Sequence, residues 1–547
     1  MRLVLCLTRC TLIFNARFVA EKKCHILPRS SNKSELHKAL ANGRFEEASR
    51  RIALQTEACL IESFVGVDGC RKSCLHVIAA ISDKLEATRL CRQLMQKIKN
   101  TLNREYLLNS RTIEQFDVDG RKVHVRVAAI HIAAYSGNAG VVRHLCEDYE
   151  VDVNCGTSET LEQEPKKGMT PLEWAASKGH EKVVRVLIDN AANVNAGRYT
   201  DGVTALHVAT QNEHVEVVKL LLDNGADVNA QTRSDGVAAL HVAAWDGHAE
   251  MVKMLLDNNA DVNSSRHTDG ATALHVSAQN GPAEVVKILL DNSADVNASR
   301  HSDGATALYI ATQNGNAEVV KLLLDNKADV NAGRHTDGST ALYVAADNGH
   351  TEVVKLLLNN KADVNATTRI DGVTALYIAA WNGHVEIVKL LLDNNADANA
   401  SPTDDGHTAL YGAAWNGHAE IIKLLLDNAA DVNASMHIDG ATALHAAAWN
   451  GQAEILKLLL ENKADVNASM STDGTTALYI GAWNGYAEVV KLLLENKADS
   501  NAGRRIEAFR GFHRPTHAGK YAEVVKIDRP IDAARRNRHL DVVRLLQ

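Results

Sequence analysis

Residues 202–235 read GVTALHVATQNEHVEVVKLLLDNGADVNAQTRSD, and this 34-residue pattern recurs through most of the 547-residue chain. The leucine of its Thr-Ala-Leu-His/Tyr tetrapeptide, or of a near equivalent, marks the period. That leucine falls at ten positions spaced 34 residues apart: Leu172, Leu206, Leu240, Leu274, Leu308, Leu342, Leu376, Leu410, Leu444 and Leu478. A fixed period of this length indicates stacked copies of one small structural unit.

Each unit predicts two short helices followed by a polar turn. Thr204 can cap a first helix that begins with the small, apolar residues 205–209. In most units this helix stops at Asn-Gly, as at residues 382–383, where glycine tolerates a left-handed turn. Residues 215–223 have the apolar spacing of a second, amphipathic helix, and residues 226–230 lead to an Asp-Gly turn. One unit buries too little apolar surface to fold alone, so the units must stack.

The unit resembles the ankyrin-repeat consensus almost throughout: Gly-x-Thr-Ala-Leu-His-x-Ala-Ala-x-Asn-Gly-His-x-Glu-Val-Val-Lys-Leu-Leu-Leu-x-x-x-Ala-Asp-Val-Asn-Ala. The resemblance is strong across residues 166–502, good for 121–156 and thin elsewhere. It implies a mainly α solenoid in which every unit has a helix-turn-helix and a β-hairpin finger. It also implies a superhelix with a concave inner surface.

Three departures from the family pattern bear on the fingers. The period is 34 where the family usually has 33, and the extra residue lies in the finger. The family's Thr-Pro survives only at residues 170–171. The glycine before Ala-Asp is kept at Gly225 and replaced elsewhere by Asn259, Ser293, Lys327, Lys361, Asn395, Ala429, Lys463 and Lys497. Each replacement costs about 1 kcal/mol if it adopts the left-handed conformation.

The repeat pattern divides the chain into five segments. We expect an N-terminal tail that is disordered or a targeting signal, divergent ankyrin-like repeats, one repeat with an insertion near Glu159–Lys167, the regular array, and degenerate basic repeats. These segments are 1–30, 31–120, 121–165, 166–502 and 503–547. Weak echoes of the repeat lie at residues 36–39 and 75–80.

The distribution of charge and of cysteines limits which partners and which compartment we expect. The net charge is −8, but residues 1–50 and 503–547 each have a surplus of six positive charges, so residues 51–502 carry −20. Such an acidic body repels phosphate backbones, and we expect no nucleic-acid partner. All nine cysteines precede residue 156, which fits a reducing compartment better than a disulfide framework.

The N-terminal residues leave the location open. Residues 1–20 contain three arginines and no acid, and their apolar stretch is too short for a secretory signal or a membrane span. The two interpretations are a mitochondrial-type presequence and a frayed or misassigned start. We expect a cytoplasmic protein, with the nucleus as the alternative, while mitochondrial or secretory targeting stays open. The Asn-x-Ser/Thr sequences belong to the finger motif, which also favours an intracellular address.

Five of the six tryptophans occupy one position near the end of the first helix: Trp245, Trp381, Trp415, Trp449 and Trp483. The resemblance implies that partners are held by the fingertips and by this exposed helix end. An exposed row of tryptophans on a groove is typical of a protein-binding hot spot. The alternative is that duplication copied a tryptophan that packs between neighbouring repeats.

A second row lies at the fingertips and is basic: Arg233, Arg266, His267, Arg300, His301, Arg334, His335 and Arg369. This ridge could hold acidic or phosphorylated segments and respond to pH near ~6.5. The alternative is solvated loop residues. The His or Tyr that follows each repeat leucine, as at His207, is implied to be structural, with hydrogen bonds across the turn.

The function that we favour is a protein-binding scaffold or adaptor, monomeric and without cofactors. No phosphate-binding loop, nucleophile elbow or His-Glu-x-x-His motif is present. Cys70, Cys74 and His76 with Cys59 or Cys91 match no familiar zinc spacing. The alternatives are a targeting subunit such as a ubiquitin-ligase substrate receptor, and an enzyme whose catalytic part lies in residues 1–120.

Overall fold

The computed structural model describes residues 46, 48, 64–65, 71–72, 74–97, 111–118, 121–157, 168–401, 406–506 and 526–547. The N-terminal tail, the repeat echo at residues 36–39 and the insertion near Glu159–Lys167 lie outside these residues. The chain divides into two units, Met1–Asp295 and Val296–Gln547, which are described separately below.

In the unit Met1–Asp295, each regular repeat supplies a pair of helices. The first helices are Ala129–Tyr135, Pro171–Ser177, Ala205–Gln211, Ala239–Asp246 and Ala273–Asn280. The second helices are Ala139–Tyr149, Glu181–Asp189, Val215–Asp223, Ala249–Asp257 and Ala283–Asp291. The predicted apolar positions form the core, since Leu206, Val217, Val218 and Leu221 are all buried.

The unit Val296–Gln547 repeats this arrangement. Its first helices are Ala307–Gln313, Ala341–Asp347, Ala375–Asn382, Ala409–Asn416, Ala443–Trp449, Ala477–Asn484 and Pro530–Arg536. Its second helices are Ala317–Asp325, Thr351–Asn359, Val385–Asp393, Ala419–Asp427, Ala453–Glu461, Ala487–Glu495 and Leu540–Leu546. The last pair follows two short paired strands, Arg504–Ile506 and Lys526–Asp528. The mainly α solenoid predicted from the sequence is confirmed.

In several repeats the His or Tyr after the repeat leucine bonds the next finger, and the histidines also bond the start of their own first helix. In His207, Nδ1 accepts a hydrogen bond from the Thr204 N–H at 3.3 Å, so Nε2 carries the proton and donates to the Val237 carbonyl at 3.0 Å. Burial lowers the pKa of His207, which keeps the ring neutral. In a tyrosine unit, the hydroxyls of Tyr309 and Ser339 lie 3.2 Å apart. The predicted hydrogen bonds across the turn are confirmed.

The fingers contain less strand than the resemblance implies. Six of the described fingers are tight turns closed by a single bridge, as at Gln231↔Ala238 and Ser435↔Thr442. The backbone instead bonds to the neighbouring finger, where the N–H of Arg233 donates to the Asp201 carbonyl at 2.8 Å. A finger that shares its backbone hydrogen bonds in this way needs no strands of its own.

The loop position that usually carries glycine is left-handed, which meets the condition on which the cost of about 1 kcal/mol depends. Gly225 has φ +80°, and the residues that replace glycine have φ between 61° and 67°: Asn259, Ser293, Lys327, Lys361, Asn395, Ala429, Lys463 and Lys497. The side chain of an asparagine in one finger forms hydrogen bonds with the backbone of the corresponding loop in the next repeat. For example, Asn195 accepts from the Asp227 N–H at 2.7 Å and donates to the Gly225 carbonyl at 3.0 Å.

One element near the start of the chain was not predicted. The strands Arg111–Val118 and Arg121–Ala128 pair antiparallel from Arg111↔Ala128 to Val118↔Arg121. In chain order they lie between the helices Cys74–Ala79 and Lys84–Lys97 and the repeat that begins with helix Ala129–Tyr135. Asn138 joins the two sides, since its amide donates to the Ala79 carbonyl at 2.6 Å.

Candidate protein-binding face

The first helices of the unit Val296–Gln547 carry four of the predicted tryptophans at their ends. The helix Ala375–Asn382 shows the arrangement, because Trp381 is its penultimate residue and Gly383 follows in a left-handed turn with φ +82°. Glycine can adopt this conformation without strain, so the helix stops directly after the indole. The tryptophan is thereby held at the helix end by rigid backbone on one side and a sharp turn on the other.

Three of these tryptophans stack on the tyrosine four residues before them. The ring centroids of Tyr377 and Trp381 are 6.0 Å apart, and the equivalent pairs Tyr411–Trp415 and Tyr479–Trp483 are each 6.1 Å apart. Residues four apart share one face of a helix, so the two rings lie side by side on each of these three helices. Trp381, Trp415 and Trp483 are half-buried.

Trp449 is the most exposed member of the row. Its helix has His445 where the others have tyrosine, and that imidazole donates to the Thr475 carbonyl at 3.2 Å. Trp449 lies four residues further on and is 52% exposed. In the unit Met1–Asp295, Trp245 is half-buried, whereas Trp174 is 4% exposed and packs edge-on against Tyr135. Trp174, which lies outside the row in the sequence, therefore belongs to the core.

The backbone of the tryptophan row is fixed by side chains of the following repeat. The Trp381 carbonyl accepts hydrogen bonds from Asn416 at 3.1 Å and from His418 at 3.2 Å. Asn450 donates to the Trp415 carbonyl at 2.7 Å in the same way. These contacts occupy the main-chain carbonyls of the helix end. The partly exposed indoles remain as the groups that a partner can contact. Such preorganised aromatic rings offer a partner a large area at small entropic cost.

At the fingertips, the three arginines Arg266, Arg300 and Arg334 pair with the aspartates three residues on. The Nε–Oδ1 distances are 3.0 Å to Asp269, 3.1 Å to Asp303 and 3.2 Å to Asp337. The hydrogen bond from Arg334 lowers the pKa of Asp337 to about 2. The charge of these arginines is therefore neutralised locally, which the sequence analysis did not foresee.

The remaining members of the predicted ridge are exposed. Arg233 donates to the Tyr199 carbonyl at 2.9 Å, and its guanidinium lies 5.7 Å from the Tyr199 ring centroid. Arg369 is exposed, and so are the three histidines His267, His301 and His335. The ridge is thus less basic than its sequence suggests.

The part of the chain that the structure describes bears on two other kinds of site, a metal centre and a membrane span. Within it, no group of His, Cys, Asp and Glu side chains is placed to hold a metal ion. Of the candidate zinc ligands, Cys59 and Cys70 lie outside the described residues, and burial raises the pKa of the Cys91 thiol to about 12. No helix among the described residues is long and apolar enough to cross a membrane.

Sequence reasoning missed the partners of the tryptophans. The spacing of Tyr411 and Trp415 would have shown that their rings share a helix face. The acidic residue Asp439 was passed over because Asp-Gly recurs in nearly every finger. Its finger differs in having Met436 three residues before the aspartate, where Arg334 precedes Asp337. At the end of the row, Arg536 lies over Trp483 with its guanidinium carbon 5.4 Å from the ring centroid.

Comparison with known proteins identifies the repeat. A family model described as ankyrin repeats (3 copies) matches seven adjoining or overlapping segments: residues 94–198, 130–232, 196–266, 229–300, 298–368, 367–436 and 435–504. Together the segments span residues 94–504, well over half of the chain. No curated protein matches the chain.

Proposed function

Because the chain belongs to the ankyrin-repeat family, we propose that it is a scaffold or adaptor that binds partner proteins on the tryptophan row of its first helices. Ankyrin repeats are general protein–protein interaction modules. The observation that supports this role most directly is the row Trp381, Trp415, Trp449 and Trp483, in which every indole is at least partly exposed. Tryptophan is among the residues most enriched at binding hot spots.

The fingertips supply the rim of the proposed interface. Arg233 and Arg369 are exposed and suit acidic or phosphorylated segments of a partner. Arg266, Arg300 and Arg334 would first have to exchange their own aspartates for those of the partner. That exchange gains little for a partly exposed pair. We therefore assign the main binding energy to the tryptophan row and a minor share to the ridge.

We also propose a cytoplasmic location, as expected from the sequence. The asparagines of the Asn-x-Ser/Thr sequences are engaged in the finger contacts: Asn433 accepts from the Asp465 N–H at 2.7 Å, and Asn467 accepts from the Asp499 N–H at 2.8 Å. Attaching a glycan to these amides would disrupt the contact between repeats. The fold is therefore better suited to a compartment without N-glycosylation.

Affinity capture with the full chain tests the scaffold role. One variant changes Trp381, Trp415, Trp449 and Trp483 to Ala. The matched control changes the exposed lysines of the second helices in the same four repeats, Lys389, Lys423, Lys457 and Lys491, to Ala. We expect partner proteins bound by the parent and by the lysine control to be lost with the tryptophan variant, after circular dichroism shows all three to be folded. Equal capture by the folded tryptophan variant would refute the proposal.

A further inference from the structure

The C-terminal end of the tryptophan row already holds an arginine side chain. The guanidinium of Arg536 lies over the Trp483 ring and donates to Asp528 Oδ1 at 2.5 Å. Asp528 Oδ2 accepts a hydrogen bond from the Tyr479 hydroxyl at 2.7 Å, and Tyr479 stacks on Trp483. An aromatic pair and a carboxylate thus form a guanidinium site, and the chain itself fills it.

A second intramolecular example lies at the other end of the unit Val296–Gln547. The guanidinium carbon of Arg334 is 5.1 Å from the Tyr309 ring centroid, and Arg334 Nε donates to Asp337 Oδ1. Here the arginine comes from the next finger, three residues before the aspartate. A planar cation that stacks on an aromatic ring while bonding a carboxylate uses both of the contacts in which arginine exceeds lysine.

The repeat with helix Ala409–Asn416 offers the same groups without an arginine. Tyr411 and Trp415 are stacked, and burial together with the charge of Asp439 raises the pKa of Tyr411 to about 12. Asp439 Oδ1 accepts the N–H of Ala441 at 2.9 Å. Among the described residues, no cationic side chain pairs with the Asp439 carboxylate.

Methionine occupies the place of the missing arginine. Met436 precedes Asp439 by three residues, as Arg334 precedes Asp337. The turn is the same in both fingers, because the N–H of Met436 donates to the Ala441 carbonyl at 2.8 Å and that of Arg334 donates to the Ser339 carbonyl at 3.0 Å. Methionine therefore stands where the equivalent finger has arginine, and the Asp439 carboxylate and the aromatic pair lack the cation that Arg334 supplies in that finger.

We propose that Tyr411, Trp415 and Asp439 form a binding site for an arginine side chain presented by a partner protein. The proposal rests on the scaffold function and specifies its ligand: the guanidinium stacks on the aromatic pair and donates to the Asp439 carboxylate. The excess negative charge of residues 51–502 attracts basic segments from a distance. The partner is therefore a protein with an accessible arginine in a basic segment.

Fluorine NMR of the full chain labelled with 5-fluorotryptophan tests the site directly. The Trp415 resonance is assigned by its loss in Trp415→Phe, and the probe is the peptide Gly-Gly-Arg-Gly-Gly with blocked ends. We expect a saturable shift of the Trp415 resonance. The same peptide with citrulline, which has nearly the same shape without the charge, should bind at least tenfold more weakly. An equal response to citrulline would overturn the proposal.

Two substitutions distinguish binding at this site from nonspecific binding of the peptide elsewhere on the surface. Met436→Arg should abolish the response, because the new guanidinium fills the site as Arg334 does, whereas the control Met436→Leu should bind like the parent. Asp439→Asn keeps an oxygen for the Ala441 N–H and should weaken binding at least tenfold. A folded Met436→Arg protein that still binds the peptide with unchanged affinity would refute the assignment.

These results can be distinguished from failure of the scaffold function. If partner capture is lost with the four tryptophan substitutions but survives both Met436→Arg and Asp439→Asn, the scaffold function stands and the arginine site is refuted. If the Trp415 resonance responds to arginine as described but no protein is captured through the tryptophan row, the arginine site stands and the scaffold function falls.

Discussion

Four loop lysines are held in a backbone conformation that disfavours them, and replacing them by glycine should stabilise the protein. Lys327, Lys361, Lys463 and Lys497 have φ between 65° and 67°. The left-handed conformation costs a residue with a side chain roughly 1–2 kcal/mol. Glycine avoids this cost but loses roughly 0.5–1 kcal/mol through its freer unfolded chain. We therefore expect a net gain of about 0.5–1 kcal/mol per site.

The four sites lie in different repeats of the unit Val296–Gln547, so their effects should add to about 2–4 kcal/mol in the quadruple glycine variant. All four side chains are exposed, and only backbone atoms of these residues hold the neighbouring loops, as in the bond from Asn433 to the Lys463 carbonyl. The assay is urea denaturation followed by far-ultraviolet circular dichroism, with amide hydrogen exchange to locate the gain in the unit concerned.

Two controls separate backbone strain from charge. The quadruple lysine-to-alanine variant keeps the side-chain carbon at each site and should change stability by less than about 0.5 kcal/mol per site. Gly225→Ala applies the strain where the chain has glycine, with nothing within 4 Å of the added carbon. It should cost the same net amount, about 0.5–1 kcal/mol. A quadruple alanine variant that gains as much as the glycine variant would refute the reasoning.

Three further predictions concern buried groups. Burial lowers the pKa of His241 to about 4, so the unfolded chain binds the extra proton and the free energy of unfolding falls as pH drops from 6.5 towards 4. His241→Tyr should remove up to about 3 kcal/mol of this loss. Urea denaturation across that pH range measures it. Burial raises the pKa of Glu173 to about 7, against the opposing effect of the Arg198 charge. Arg198→Met should therefore destabilise the protein by about 3 kcal/mol at pH 8 and by less at pH 5, where the unpaired acid is protonated. An equal loss of stability at both pH values would contradict this. Gly412→Ile should displace Trp381, whose ring lies 3.2 Å from the added carbon, and shift its fluorescence to longer wavelength; an unchanged spectrum would count against the packing described.

The repeat fold could be predicted from the sequence because its signal is repeated. One ambiguous unit would leave helix bounds open, but ten copies in register average out the local variation. Alignment with Gly225 located the loop positions, but their left-handed conformation was only a condition until the structure gave their φ values. The paired strands Arg111–Val118 and Arg121–Ala128 were missed although the sequence Asp119-Gly120 lies between two alternating segments. The reason is that the search for a 34-residue period ignores elements that occur once.

The candidate site was predictable only in part, because its chemistry depends on contacts between repeats. The tryptophan row was found from its spacing, and its partial exposure required the structure. The fingertip arginines were counted as a basic ridge, whereas Arg266, Arg300 and Arg334 each bond an aspartate of the same turn. A one-turn ion pair could have been suspected from the Arg-x-x-Asp spacing. That Asp439 approaches Tyr411 of the preceding repeat could not, because it depends on how two units stack.

The central claim, that partners bind along the tryptophan row, is tested most directly by site-specific photo-cross-linking in the full chain. A photoreactive phenylalanine analogue replaces Trp449, the most exposed indole, or Lys457, an exposed residue on the second helix of the same repeat. The account predicts that a captured partner cross-links from position 449 and not from position 457. Cross-linking from position 457 with none from position 449 would show that the partner binds the other face, and would contradict the account.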